Sequence, residues 1–355
     1  MKLVNQLLPS DGNPRNSEGS FIRLPDGRIL FAYSRYVGDS WNDHAFCEIA
    51  VIYSSDEGET WTEPRVIASP TDFDAKNLMS VSCIYQNDGR IGIYFIIKEN
   101  NLTTTCARAL SADGESFELS RCRFNLPSSY YVFNNDRLIR LPDGRLAYPA
   151  GRHSHGYMPD GSVDIDSSSV SVVLVSNDDG ASFELLPFRL TIPTLRQGGV
   201  GMQEPGLFVF KDGTIWLWAR TSAGFQYESF SRDNLKSFTM PQPSIFSSPA
   251  SPMEVARDPE SGAIYAVYNP ISNYPGRPNA KESWGRTPFV IRKSTDEGAT
   301  WSDVYTLEDV PTRGYCYPAL FFTGDGSLLI AYCRGDHGKC LTETGIAKIS
   351  LADIR

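Results

Sequence analysis

No apolar run in this chain of 355 residues approaches the ~20 needed to cross a bilayer, which excludes a helical membrane span. Positive charge is in deficit. Lys and Arg total 33 against 42 Asp and Glu, a formal charge of -9, which argues against a nucleic-acid partner. Cys-x-x-Cys pairs are absent, and the seven cysteines are odd in number and scattered, so they read as reduced and mostly buried rather than as disulfides or metal ligands. The first residues, Met1-Lys2-Leu3-Val4-Asn5-Gln6, lack the apolar core of a signal peptide. Together these features predict a cytoplasmic protein. Histidine is scarce, with four residues. His153 and His155 could ligate a metal with Asp43 or Asp136, but two histidines are too few. No metal and no cofactor is expected. Pro/Ser linkers, heptads and low-complexity tracts are also missing.

Repetition is what the chain does contain. Five segments share the pattern Ser-x-Asp-x-Gly-x-Thr/Ser-Trp/Phe, beginning at Ser54, Ser111, Ser176, Ser231 and Ser294. The second lacks one residue, and the fourth has Leu235 for Gly. Their starts lie 57, 65, 55 and 63 residues apart, the signature of one supersecondary unit repeated along the chain. Asp can accept backbone N–H groups across a turn and Gly supplies a positive φ, so these segments read as turns that report fold and not chemistry.

Between them runs a second repeat, an apolar stretch, a tight turn and another apolar stretch. It covers residues 18–35, 80–98, 135–152, 204–220, 251–269 and 317–334, turning at Asp26-Gly27, Asp88-Gly89, Asp143-Gly144, Asp212-Gly213, Ser261-Gly262 and Asp325-Gly326. Asp-Gly between apolar runs is a strong hairpin signal. Two inner strands joined by this turn and two outer strands joined by the Ser-x-Asp turn make a four-stranded antiparallel blade. Six blades predict an all-β, six-bladed propeller over residues 1–355. Residues 342–351 supply a third strand to the last blade, and residues 2–8 are free to fill its edge and close the ring.

Geometry then places a site at one mouth of the channel. Eight residues before the Asp of each hairpin turn stand Glu18, Ser80, Asn135, Glu204 and Tyr317, with Ser251 at a two-residue offset in blade five. These six polar positions should form one ring. The far ends of the second strands, Arg35, Lys98, Arg152, Arg220, Asn269 and Arg334, should lie near it, because a hairpin brings its open ends together. So many guanidinium groups beside two glutamates and a tyrosine point to an anionic or polyhydroxy ligand, an oligosaccharide or glycoside.

The five turns resemble the Asp-box (BNR) repeats of sialidases and other β-propellers, and the ring resembles the catalytic apparatus of sialidases in blade order. In that family a Glu on the inner strand of blade four sits beside a nucleophilic Tyr on that of blade six, the places of Glu204 and Tyr317. Gln203-Glu204-Pro205-Gly206 with Arg220 looks like the family's Glu and Arg pairing, and Tyr317-Pro318-Ala319-Leu320 like its Tyr-Ser-x-Leu segment. The family's catalytic Asp matches Asp43 in Trp41-Asn42-Asp43-His44, with Asp39 as competitor, and a further arginine matches Arg286. Asn135, Arg137, Arg152, His153, Tyr227 and Arg334 complete the expected sugar-binding set with Glu18 and Arg35.

One position departs from the family. Sialidases carry a Phe/Tyr-Arg-Ile-Pro motif whose Arg helps clamp the substrate carboxylate. Ile22-Arg23-Leu24-Pro25 mimics the letters, but strand alternation turns Arg23 to the face opposite Glu18, so the inward position is an acid. The clamp is incomplete unless Arg35 or Arg137 takes over. The resemblance implies an exo-glycoside hydrolase with Tyr317 as nucleophile, Glu204 as its base and Asp43 as acid and base. A sugar-acid lyase using Tyr or His as base, or a carbohydrate-binding propeller without turnover, are the alternatives.

Overall fold

The computed structural model describes residues 1–158, 160–193, 199–271 and 280–354. It is a six-bladed propeller. Blade one orders Asn16–Arg23, Ile29–Tyr36, Cys47–Ser54 and Arg65–Ala68 from the channel outward, and blade two repeats the plan with Asn77–Tyr85, Ile91–Lys98, Thr104–Ser111 and Glu118–Arg121. Blade four uses Gln203–Val209, Ile215–Arg220, Phe225–Ser231 and Gln242–Ser247, and blade five Glu254–Arg257, Ile264–Tyr268, Phe289–Ser294 and Tyr305–Glu308. Among the described residues, helix is confined to three 3-10 turns, at Pro70–Phe73, Lys281–Ser283 and Leu351–Asp353.

The termini close the ring as expected. Arg313–Phe322, Ser327–Asp336 and Glu343–Ser350 are the first three strands of blade six, and Lys2–Leu7 is its fourth, antiparallel to Glu343–Ser350 with Lys2 opposite Lys348 and Leu7 opposite Thr344.

Two blades differ from the repeat. In blade three the inner strand is broken into Tyr130–Val132 and Ile139–Arg140, both pairing with the long strand Leu146–Tyr157. Arg123–Asn125 adds a parallel strand beyond Ser182–Leu185, and the hairpin of Leu146–Tyr157 with Val163–Ser176 is longer than in any other blade. In blade five the inner strand begins only at Glu254, so Ser251 lies before it.

Packing follows the period. Apolar side chains alternate along each strand onto the two faces of its blade, and adjacent blades bury them against one another. Ile22, Leu30, Val51, Leu78, Ile93 and Phe95 share one such cluster between blades one and two. Phe21, Phe31, Ala319, Leu329 and Ile346 share another between blades six and one. Each fully buried Leu, Ile or Phe contributes roughly 1.5–3 kcal/mol, so the ring is held by its inter-blade seams.

The Ser-x-Asp segments are turns. In the first, Asp56 accepts Thr60 N–H at 2.9 Å and the Thr60 hydroxyl at 2.5 Å, Ser54 Oγ accepts Gly58 N–H at 2.9 Å, and Trp61 Nε1 donates to the Gly58 carbonyl at 3.0 Å. These donors hold the Asp56 carboxyl down at about 2. In the fourth turn Leu235 adopts a φ of 68° where the others have Gly, and its side chain is buried.

Candidate active site

The inner strands of blades one, two, four and six each carry a β-bulge at the same level. Register slips between Ser17 and Ser20, Met79 and Ser82, Gln203 and Gly206, and Cys316 and Ala319. The first residue of each bulge has a left-handed backbone: Glu18 at φ 57°, Ser80 at 58°, Glu204 at 49° and Tyr317 at 54°. A non-glycine residue there costs of order 1–3 kcal/mol, and such strain gathers at functional sites. Sequence explains the bulges in three blades, and in blade one the mark is Gly19, where a Cβ would lie 2.2 Å from the Phe31 ring. Pro205 and Pro318 follow Glu204 and Tyr317, and proline leaves a ladder position unpaired without loss. Gly206 completes the first, since a Cβ on it would lie 2.2 Å from the Trp218 ring.

All four strained side chains line one cavity of about 400 Å³ at the channel mouth. Asp43, His44, Lys98, His153, Arg220, Trp284 and Arg286 also line it. The ring predicted from sequence slips by one residue in the two irregular blades. There the left-handed residues are Asp136 and Ala250, because the broken and shortened inner strands shift the count. Asn135 is buried outside the cavity lining, its Nδ2 donating to the Gly19 carbonyl at 2.9 Å. Ser251 bonds Asn269 Oδ1 at 2.6 Å.

On the side of blades four to six, Tyr317 Oη donates to Glu204 Oε1 at 2.8 Å. Arg220 Nη1 donates to both Glu204 oxygens, at 2.9 and 2.8 Å, and lies 3.4 Å from Tyr317 Oη. The Arg286 guanidinium sits 5.6 Å from the Tyr317 ring centroid and 5.3 Å from that of Trp284, and its Nη1 donates to Cys316 Sγ at 3.1 Å. Burial opposes ionisation of Glu204, but Arg220 and Arg286 outweigh it and hold the carboxyl below its ordinary range. Burial and then Glu204 push the Tyr317 phenol well up. The pair is therefore a carboxylate and a neutral phenol, with Glu204 placed to accept the phenolic proton.

On the side of blades one and two the organiser is Arg15. It is wholly buried and stacks over the Tyr36 ring at 4.4 Å. Its Nη2 donates to Glu18 Oε1 and its Nη1 to Asp43 Oδ1, each at 2.5 Å. Ser80 Oγ donates to Glu18 Oε2 at 2.5 Å, and Lys98 Nζ to the Asp43 carbonyl at 2.5 Å. The two acids respond differently. Burial raises the Glu18 carboxyl despite Arg15. Burial also opposes ionisation of Asp43, but Arg15 and Lys98 bring that carboxyl to about 2. Asp43 opens into the cavity with its side chain 56% exposed. Asp39, its competitor, lies on the exposed loop outside the cavity.

Several expected ligand contacts are elsewhere, for a common reason. Counted along the second strand from the bulge, Arg220 stands at an odd position and Lys98 at another, facing the cavity. Arg35 and Arg334 stand at even positions, so alternation turns them onto the other blade face. Arg35 pairs with Glu48 at 3.3 Å, and Arg334 lies between Glu308 at 3.7 Å and Glu343 at 3.6 Å. Arg152 is likewise turned away, 5.8 Å from the Tyr131 ring centroid, while the next residue, His153, faces in. Arg137 is buried below the cavity, paired with Glu254 and donating to the Met253 carbonyl at 2.5 Å, so neither it nor Arg35 completes a clamp. Tyr227 packs between blades three and four. Arg23 pairs with Glu57 at 2.8 Å on the outer surface.

His153 Nδ1 donates to the Asp166 carbonyl at 2.8 Å, which leaves Nε2 as an acceptor. Burial holds its pKa below the ordinary value. His155 bonds the Leu102 carbonyl instead. Among the described residues no group of three or more His, Cys, Asp or Glu is arranged to hold a metal ion.

A family model described as "BNR repeat-like domain" matches residues 32–330. No curated protein sequence matches the chain. Among solved structures, the "Hadza microbial sialidase Hz136" superposes with a TM-score of 0.72 at 15% identity, over 96% of this chain and 66% of that one. The NanB sialidase from Streptococcus pneumoniae gives 0.71 at 14% identity, over 100% and 71%. A protein of unknown function from Dyadobacter fermentans DSM 18053 gives 0.70 at 15%, over 98% of each chain. At these identities the likeness is one of fold.

Proposed function

This chain belongs to the BNR repeat-like domain family, and we propose that it is a sialidase-like exo-glycoside hydrolase acting on a terminal acidic sugar. The observation that carries the reading is the contact of Tyr317 Oη with Glu204 at 2.8 Å, with Arg220 on the same carboxylate. A bare phenol titrates near 10 and needs a base to attack at neutral pH. Glu204 supplies that base.

The reaction has two displacements. Tyr317 Oη attacks the anomeric carbon and its proton passes to Glu204. The bond to the leaving oxygen breaks, and that oxygen takes a proton from Asp43. Water then gives a proton to Asp43 and attacks the same carbon. The bond to Tyr317 breaks, and the phenol recovers its proton from Glu204. The anomeric configuration is retained. Arg220 and Arg286 bind the sugar's anionic group. With its carboxyl held down in the free protein, Asp43 is ionised there and must gain a proton before the first displacement. An entering anion raises its proton affinity toward the acid step.

A second reading, a sugar-acid lyase, draws support from His153, whose neutral imidazole lines the cavity with Nε2 free to accept a proton. One experiment separates the two. Aryl glycosides and uronate oligosaccharides are incubated with the protein and the products weighed by mass spectrometry. Hydrolysis gives fragments that together gain one water. Elimination gives an unsaturated uronate that absorbs in the ultraviolet, with no water gained. Hydrolysis is expected, and elimination alone overturns the glycosidase reading.

A further inference from the structure

Charge is divided unevenly across the cavity. On one side Arg220 and Arg286 face a single carboxylate, Glu204, leaving one positive charge in excess. On the other, Arg15 and Lys98 meet Glu18 and Asp43, and the formal charges cancel. Of the two cations, Lys98 lines the cavity but is committed to the Asp43 carbonyl at 2.5 Å, and Arg15 is out of reach. Arg15 is wholly buried, and its guanidinium is spent on Ser17 Oγ at 2.8 Å, the Trp41 carbonyl at 3.2 Å, Asp43 and Glu18. What this wall turns toward a ligand is therefore chiefly the acceptor oxygen of Glu18 and Asp43, beside the one ammonium of Lys98. Glu18 is held there rigidly, by a left-handed backbone, by Arg15 on one oxygen and by Ser80 on the other. Each carboxylate oxygen has two acceptor sites, so each keeps one.

We propose that Glu18 is the specificity-determining residue of this cavity: it admits a sugar bearing one anionic group, held at Arg220 and Arg286, and selects a hydroxyl or ammonium donor on the facing side. A second anion there would meet a fixed carboxylate in a partly water-excluded bowl, where like charges repel strongly. A hydroxyl there gains a charge-assisted hydrogen bond. The proposal rests on the glycosidase reading only for its ligand class, a sugar acid.

Calorimetric titration of the full chain tests it without turnover. The probes are the methyl glycosides of glucuronic acid and N-acetylneuraminic acid, their neutral carboxamides, and their monosulfated forms. The wild-type protein should bind the one-carboxylate forms at least ~10-fold more tightly than either the carboxamides or the sulfated forms. Glu18→Gln should remove most of the penalty against the sulfated forms. Ser80→Ala, which bares more of the Glu18 charge and disturbs folding less, should increase that penalty severalfold. The proposal is overturned if the wild-type protein binds sulfated and unsulfated forms alike, if folded Glu18→Gln keeps the wild-type preference, if Ser80→Ala leaves the penalty unchanged, or if no probe binds. Should Glu18→Gln not fold, the wild-type and Ser80→Ala titrations decide. Selective binding without hydrolysis of aryl glycosides would sink the glycosidase reading alone.

Discussion

The two walls of the cavity are built alike and charged differently. Both place strained, bulge-borne side chains at one level, Glu18 and Ser80 on one wall and Glu204 and Tyr317 on the other. Both hold a glutamate with an arginine. Yet Arg220 is at the cavity surface and holds Glu204 below its ordinary range, while Arg15 is behind the wall and does not prevent burial from raising Glu18. The same ion pair thus accompanies a carboxyl held down on one side and one raised by burial on the other. Position relative to the ligand, more than residue type, sets what each acid can do.

The comparison breaks most sharply at the proposed nucleophile. Tyr317→Phe keeps the ring and loses the oxygen, so turnover should fall on the order of 10³-fold or more while sugar binding, measured by calorimetry, stays within a few-fold. Undiminished activity would move the chemistry to His153. Glu204→Gln should lower kcat by ~10²–10⁴-fold, the usual worth of a positioned base, and an unchanged kcat would show that Tyr317 needs no base from that wall.

The opposite wall should answer in stability. Arg15→Met leaves the buried Glu18 without its paired cation and Asp43 with Lys98 alone. Breaking a buried pair of this kind costs about 3–5 kcal/mol, to be read as a lowered urea midpoint. Loss below ~1 kcal/mol would mean that the wall stands without Arg15.

Much of this architecture could be read from the chain. Five Ser-x-Asp turns and six hairpins announce the blades, and closure by the first strand follows from the missing edge. Glu204, Tyr317, Asp43, Arg220 and Arg286 come from four separate segments and line one cavity. What could not be read is which way a strand-end arginine points. Arg35 and Lys98 both end second strands, but one residue of parity separates a surface ion pair from the cavity, and the bulge that sets the parity leaves no mark in blade two. Blade three hid its broken inner strand behind a regular Asp143-Gly144 turn. Arg15 escaped notice because it precedes the repeat, and nothing in Asn13-Pro14-Arg15-Asn16 signals a wholly buried guanidinium.

Smaller effects sharpen the contrast. Asp43→Asn should slow glycosides with poor leaving groups ~10²-fold or more and activated aryl glycosides much less, because only the former need the proton. Equal losses on both would remove Asp43 from the acid step. Acid stability should follow the same residue. Asp43 sits at about 2 in the folded protein against an ordinary value near 3.9. Its contribution is therefore present above pH ~4 and lost as pH falls through about 2, modestly, since the side chain faces solvent. Glu18 works in the opposite sense, because its raised carboxyl is more easily accommodated once protonated. Thermal melts between pH 6 and pH 2 should thus show a shallower acid loss in Asp43→Asn than in the wild-type protein.

The most direct test is to catch the sugar on the tyrosine. An activated aryl glycoside of a sugar acid is turned over at low temperature, the reaction is stopped with acid during the steady state, and the digested protein is mapped by mass spectrometry. The account predicts one glycosyl adduct, on the peptide carrying Tyr317, absent from Tyr317→Phe. Steady hydrolysis with no adduct on that peptide, and the same rate in Tyr317→Phe, would contradict it.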